Sequence, residues 1–231
     1  MGSMTVLIPH PSPNFGPRPQ RDGGARIDML VLHYTGMEDG AGALARLCDA
    51  DAQVSSHYLV EEDGRIFALV DEKDRAWHAG LSHWRGEGDC NSRSIGIEIV
   101  NGGHDFGLPP YPSRQIEALI WLCQGILHRH PAIIAANVVG HSDISPSRKE
   151  DPGELFPWPL LAQHGIGLWP FDGQENSDLP DAMAWDLLRR YGYDLNDPHA
   201  ALIAFQRRYR PSHLTGQWDA ECKGRLLRLC P

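Results

Sequence analysis

Apolar residues fall in short runs separated by polar and proline- or glycine-rich stretches, and the spacing within each run predicts an element. Residues 28–34 hold the nearly continuous run Met29, Leu30, Val31, Leu32, as expected of a strand buried on both faces, with His33 at its end. Residues 40–50 are good helix formers with Leu44, Leu47 and Cys48 at helical spacing. Residues 56–60 and 65–70 flank Asp63-Gly64, a hairpin signal. In 94–101, Ile97 and Ile99 alternate with Gly96, Glu98 and Val100, so this strand carries Glu98 on the face opposite the isoleucines. Ser113 is expected to cap a helix whose Ile116, Leu119, Ile120, Cys123, Ile126 and Leu127 recur at three and four residues, ending before Pro131. Residues 137–141 read as a last short strand, and 142–159, with four prolines, as an irregular loop.

Strands and helices alternating in this way predict an α/β domain over residues 26–170. The proline-rich residues 1–25 are expected to form an extended arm lying on it, and the polar stretch 171–177 a linker. Beyond the linker, 181–191, 198–209 and 218–229 show helical periodicity with Gly192 and Gly216 between them, so 178–231 is expected to be a small three-helix domain.

Composition narrows the function classes. With 21 Lys and Arg against 30 Asp and Glu, the formal charge of −9 argues against nucleic acid as a partner. No apolar run approaches the ~20 residues a membrane span needs. Five scattered cysteines without a CxxC pair imply reduced thiols and a cytoplasmic setting. Met1-Gly2-Ser3 before Met4 looks like an added leader, so a periplasmic location is the alternative if an export signal once preceded it. Twelve histidines are about twice the usual share. Among them, His33 and His141 differ from the rest because each closes an apolar strand, where α/β folds assemble sites.

The densest stretch of chemistry runs Gly140-His141-Ser142-Asp143-Ile144 through Arg148-Lys149-Glu150-Asp151-Pro152-Gly153. It resembles the corresponding segment of the zinc-dependent N-acetylmuramoyl-L-alanine amidases of type 2, a superfamily that includes the T7 phage amidase and animal peptidoglycan recognition proteins. The likeness extends in order to Leu32-His33-Tyr34-Thr35, Ser56-His57-Tyr58-Leu59-Val60, Arg75-Ala76-Trp77-His78-Ala79-Gly80 and Ser94-Ile95-Gly96-Ile97-Glu98, covering about residues 12–165. It implies a central mixed sheet flanked by helices.

By this resemblance His33, His141 and Asp151 are the ligands of a Zn2+ ion. Two imidazoles and a carboxylate leave a fourth tetrahedral position open, the mark of a catalytic rather than a structural site. Glu98 matches the catalytic glutamate and Lys149 a cation beside the metal, while Trp77, His78, Asn101 and Tyr34 are expected to contact substrate. His57 and His104 are assigned no role. The implied activity is hydrolysis of the bond between N-acetylmuramic acid and L-alanine in peptidoglycan or anhydro-muropeptides, in cell-wall recycling or turnover. The alternative is a non-catalytic peptidoglycan recognition module. Residues 201–219, with Phe205-Gln206, Gly216 and Asp219, are similar to three-helix peptidoglycan-binding domains.

Overall fold

The computed structural model describes residues 6–20 and 26–230. The strands are β1 (Leu7–Pro9), β2 (Phe15–Pro17), β3 (Met29–Tyr34), β4 (Tyr58–Val60), β5 (Ile66–Ala68), β6 (Asp74–Ala76), β7 (His83–Trp84), β8 (Glu87–Gly88), β9 (Ser94–Ile99) and β10 (Val138–Gly140). The helices are α1 (Gly40–Cys48), α2 (Ser113–Arg129), α3 (His141–Ile144), α4 (Trp158–Gln163), α5 (Asp181–Tyr191), α6 (Pro198–Tyr209) and α7 (Ala220–Leu229). Six strands form one mixed sheet in the order β1-β5-β4-β9-β3-β10, in which only the β4–β5 hairpin pairs antiparallel. The fold is therefore the α/β arrangement of a mixed sheet flanked by helices. No described helix is long and apolar enough to cross a membrane.

Side-chain parity divides the sheet's two faces. Leu30, Leu32, Ile95, Ile97 and Ile99 point one way and bury against Ile116, Leu119, Ile120, Cys123 and Ile126 of α2. Each such aliphatic, when fully buried, contributes about 1.5–3 kcal/mol. On the other face, α1 places Ala43 and Leu47 over Leu59 and Phe67 at one side. At the other side Met29, Val31 and Val139 share a core with Leu188, Leu202, Phe205 and Leu226 of the C-terminal helices. A gap between these two coverings holds the polar cluster described below.

Two local expectations change, at Ser113 and over 142–159. Ser113 is the first helical residue of α2, and Pro112 is its N-cap. The run 142–159 is not wholly irregular. Its first turn is helical because the Asp143 carboxylate accepts the Gly140 N–H at 2.8 Å, closing the α3 turn. Its last residues begin α4, where Pro159 occupies a first-turn position that needs no amide donor. Residues 6–20 of the N-terminal arm are built into the architecture: β1 extends the sheet beside β5, and β2 pairs antiparallel with β6. Residues 1–5 and 21–25 of that arm lie outside the described residues. The stretch 171–177 is anchored, since the buried Glu175 carboxylate accepts the N–H groups of Asp172 and Gly173 and Phe171 packs edge-on against Tyr209.

Candidate metal centre

Residues far apart in the chain meet at the carboxyl ends of β3, β9 and β10, where α/β sheets commonly place ligands. His33 and Glu98 are register partners in the parallel β3–β9 ladder, as are Val31 with Gly96 and Met29 with Ser94. These six therefore share the face away from α2. His141 opens α3 directly after β10, whose Gly140 is paired with Leu32, and so lands beside His33. Asp151 returns to this point because its carbonyl accepts the Ser142 N–H at 2.9 Å. The approach is close: a Cβ on Gly140 would meet Pro152 Cδ at 2.7 Å.

His33 Nδ1, His141 Nδ1 and Asp151 Oδ2 lie 3.0, 3.0 and 3.1 Å from one another, and all three residues are buried. Tetrahedral bonds of about 2.0 Å to one ion require donor separations of about 3.3 Å, so this triangle fits a small divalent cation. Hydrogen-bond direction supports the same conclusion. The Ala79 carbonyl can only accept, so His141 Nε2, 3.1 Å away, carries the proton and Nδ1 presents a lone pair. For His33 the chain is longer. The Cys90 carbonyl accepts the Ser94 hydroxyl at 2.6 Å, and Ser94 Oγ then accepts His78 Nε2–H at 3.1 Å. His78 Nδ1 accepts His33 Nε2–H at 3.0 Å. Every hydrogen points away from the centre, leaving both Nδ1 lone pairs aimed into it.

Electrostatics agree. Burial, reinforced by His141, pulls the His33 pKa down to about 4, so the ring is neutral at neutral pH. The Asp151 carboxyl, beside the His141 and His33 rings, is held well below the usual carboxylate range despite its burial, so it is an anion. Burial pushes Glu98 well above that range, with Asp151 adding to the rise and Lys149 opposing it. Glu98 Oε2 is buried with no hydrogen-bond partner among the described residues. Glu98 lines a cavity of about 70 Å3 together with Thr35, Met37, Ala43, Arg46, Leu47 and Val54. The set thus comprises three converging ligand atoms, an unpaired acid on the same sheet face, and a cation whose field reaches both His33 and Glu98.

The N-acetylmuramoyl-L-alanine amidase family model matches residues 23–154, a span that contains His33, Glu98, His141, Lys149 and Asp151. The chain belongs to this family. It is 42% identical to the N-acetylmuramoyl-L-alanine amidase AmiD of Escherichia coli over 224 residues, covering 85% of this chain and 79% of that protein. It is also 40% identical to the 1,6-anhydro-N-acetylmuramyl-L-alanine amidase AmpD of Enterobacter cloacae, over 67% of this chain and 76% of that one. Among solved structures, the complex of E. coli AmiD with anhydro-N-acetylmuramic acid-L-Ala-D-gamma-Glu-L-Lys superposes with a TM-score of 0.81 at 41% identity, over 92% of each chain. AmpDh3 of Pseudomonas aeruginosa, in complex with anhydromuramic pentapeptide, gives a TM-score of 0.81 at 38% identity over 88% of this chain and 91% of its own.

Within this amidase, two residues expected to touch substrate are placed otherwise. His78 is buried behind His33 with both ring nitrogens bound to protein, so it orients a ligand instead of lining a groove. Asn101 is buried too, donating to the Pro109 carbonyl at 2.8 Å and accepting the Gly103 N–H at 2.9 Å, which fixes the loop between them. Tyr34 is half-buried, with its hydroxyl 2.9 Å from His104 Nδ1, and burial raises its pKa to about 12. Trp77 is half-buried with its indole beside Gly16. His57, buried, accepts the Gly96 N–H at Nδ1 and serves the sheet.

The supporting groups that sequence reading missed are the Ala79 and Cys90 carbonyls, Ser94 and Asp143. Backbone carbonyls carry no residue signature. Ser94 had one, since it shares parity with Gly96 and Glu98 on β9. Gly96 is required where it stands: a Cβ there would lie 2.5 Å from the His78 ring. Gly96→Ala is expected to cost about 1–3 kcal/mol by overpacking and to push His78 off His33. Thermal unfolding and metal titration check this, and a variant with unchanged metal affinity would contradict the packing argument.

Proposed function

We propose that this protein is a zinc enzyme that hydrolyses the amide joining the lactyl group of N-acetylmuramic acid to L-alanine, acting on peptidoglycan fragments such as anhydro-muropeptides. The observation that carries the reading is the triangle of His33, His141 and Asp151 donor atoms 3.0–3.1 Å apart, with Glu98 in register beside His33. When bound, zinc supplies a Lewis acid that makes the amide carbonyl and a water molecule more reactive toward each other. Glu98 takes one proton from the attacking water and delivers it to the nitrogen of the departing L-alanine. The Lys149 ammonium offsets negative charge that develops on the carbonyl oxygen. His78 and Ser94 hold the His33 ring in its binding tautomer.

The relatives named for this activity, and those solved with anhydromuramyl peptides, support the substrate class. A recognition module that only binds would need neither an open three-ligand set nor an unpaired buried acid beside it, so the enzyme is the better reading. Five cysteines that are all free support work in a reducing compartment, the cytoplasm.

Incubating the zinc-loaded chain with a soluble anhydro-muropeptide and following it by mass spectrometry is the direct test. The expected products are the free stem peptide with an L-alanine amino terminus and the unsubstituted anhydro-sugar. Substrate recovered intact would overturn the assignment, and parallel digestion of sacculi measures the preference between soluble and intact wall.

A further inference from the structure

We propose that two consecutive arginines of α6, Arg207 and Arg208, position the metal ligands His141 and Asp151, which makes the C-terminal helical segment part of the metal centre. This proposal rests on the metal-site reading above. The Arg208 guanidinium is buried, and its two ends bracket His141 in the chain: Nη2 donates to the Val138 carbonyl at 2.7 Å, and Nη1 donates to Asp143 Oδ2 at 2.6 Å. The same Asp143 oxygen accepts the Gly140 N–H, while its other oxygen accepts the Tyr193 hydroxyl. Trp158 and Tyr209 lie under the guanidinium at 4.1 and 4.8 Å from their ring centroids, fixing its plane. Arg207 is nearly as buried and reaches Glu150, the neighbour of Asp151, at 3.0 Å, and Glu154 at 3.7 Å. One turn of one helix thus grips the 141–153 segment at both points from which it supplies a ligand.

The chemistry favours positioning over stabilisation. Replacing a whole buried ion pair by apolar residues of similar volume is often neutral or better, because desolvating both charges offsets their attraction, whereas removing Arg208 alone also leaves Asp143 buried without that partner. What a planar guanidinium does well is fix geometry, since its fork aims two donors in set directions. Here those directions lock the last strand and the first turn of α3 together, and His141 is the residue at their junction. His33 needs no such clamp, for it sits on the central ladder with its own chain through His78.

The experiment uses the full chain and three proteins: wild type, Arg208→Met and Arg208→Lys. Zinc affinity is measured by competition with a chromophoric chelator well below the melting temperature, and circular dichroism of each metal-stripped protein reports the fold. Arg208→Met is expected to weaken zinc binding about 10–100-fold, the usual effect of losing a group that orients a ligand. Arg208→Lys, keeping the charge and at most one of the two contacts, is expected to fall between. A folded Arg208→Met with zinc affinity within about twofold of wild type overturns the proposal. Where Arg208→Met does not fold, Arg208→Lys decides by the same criterion. A wild-type chain that binds no zinc overturns the metal-site reading as well, whereas normal wild-type binding with unaffected variants overturns the clamp alone.

Discussion

His141→Ala is expected to reduce hydrolysis of anhydro-muropeptide to background and to lower bound zinc from an expected level of about one ion per chain to a small fraction of that. The reason lies in the donor geometry. Removing the imidazole leaves His33 Nδ1 and Asp151 Oδ2 as two ligand atoms 3.0 Å apart, too few to hold a catalytic ion that normally has three protein ligands. It also removes one of the two donors to the Ala79 carbonyl, which keeps Arg148 Nη2 at 3.2 Å. The fold should persist, because the surrounding core is supplied by Met29, Val31, Val139 and Ile144. Metal analysis, circular dichroism and the product assay together check this. A folded His141→Ala that retains near-normal turnover would sink the metal-centre assignment. Treatment of wild type with a strong chelator is expected to reproduce the loss, and added zinc to reverse it.

Glu98→Gln is expected to act differently, lowering kcat about 10²–10⁴-fold while zinc content stays at the wild-type level. The substitution is nearly isosteric and Glu98 is not one of the three ligand residues, so the triangle of donors should be undisturbed. What disappears is the ability to take a proton from water and pass it to the leaving amine. Stability should hold or rise, since Glu98 Oε2 is buried without a partner and burial disfavours its charged form. Steady-state kinetics paired with thermal unfolding separates the two effects. Retained turnover in Glu98→Gln would remove the glutamate from the mechanism, and lost zinc would show that it supports the metal instead.

The two variants divide the site into binding and proton transfer, and the division follows the architecture. The ligands come from β3 and the 141–153 segment, whereas the acid comes from β9, the strand between β3 and the β4–β5 hairpin. The cavity that Glu98 lines is otherwise walled by residues of α1 and its flanking loops.

Much of this was legible in residue order. Period-2 alternation in 94–99 separated Glu98 from the isoleucines, and parity correctly put it on the face away from α2. The run ending in His33 read as a doubly buried strand, and Met29 and Val31 indeed bury on one face while Leu30 and Leu32 bury on the other. The one-turn helix at His141 escaped notice because four residues hold too few positions to show a 3.6-residue period. Sequence alone does not separate Asn101 and His78 from groove residues, because a polar side chain next to a motif looks the same whether its partners are substrate or protein. Arg207 and Arg208 resemble an ordinary basic helix end, where cations suit the helix dipole, yet both are buried against the sheet side.

Residue order by itself thus determined the α/β class and the sequence of elements and, through motif resemblance, pointed to the proposed ligands and acid. Only the tertiary structure decided which strands are neighbours, that His33 stands in register with Glu98, and that His78 stands behind His33. The physical reason is one of range. Periodicity records which residues of a single segment share a face, because that depends on local backbone geometry. Pairing between residues 33, 98, 141 and 151 depends on how whole faces bury against one another. The direction of each hydrogen bond depends on carbonyls, such as those of Ala79 and Cys90, that any residue would supply.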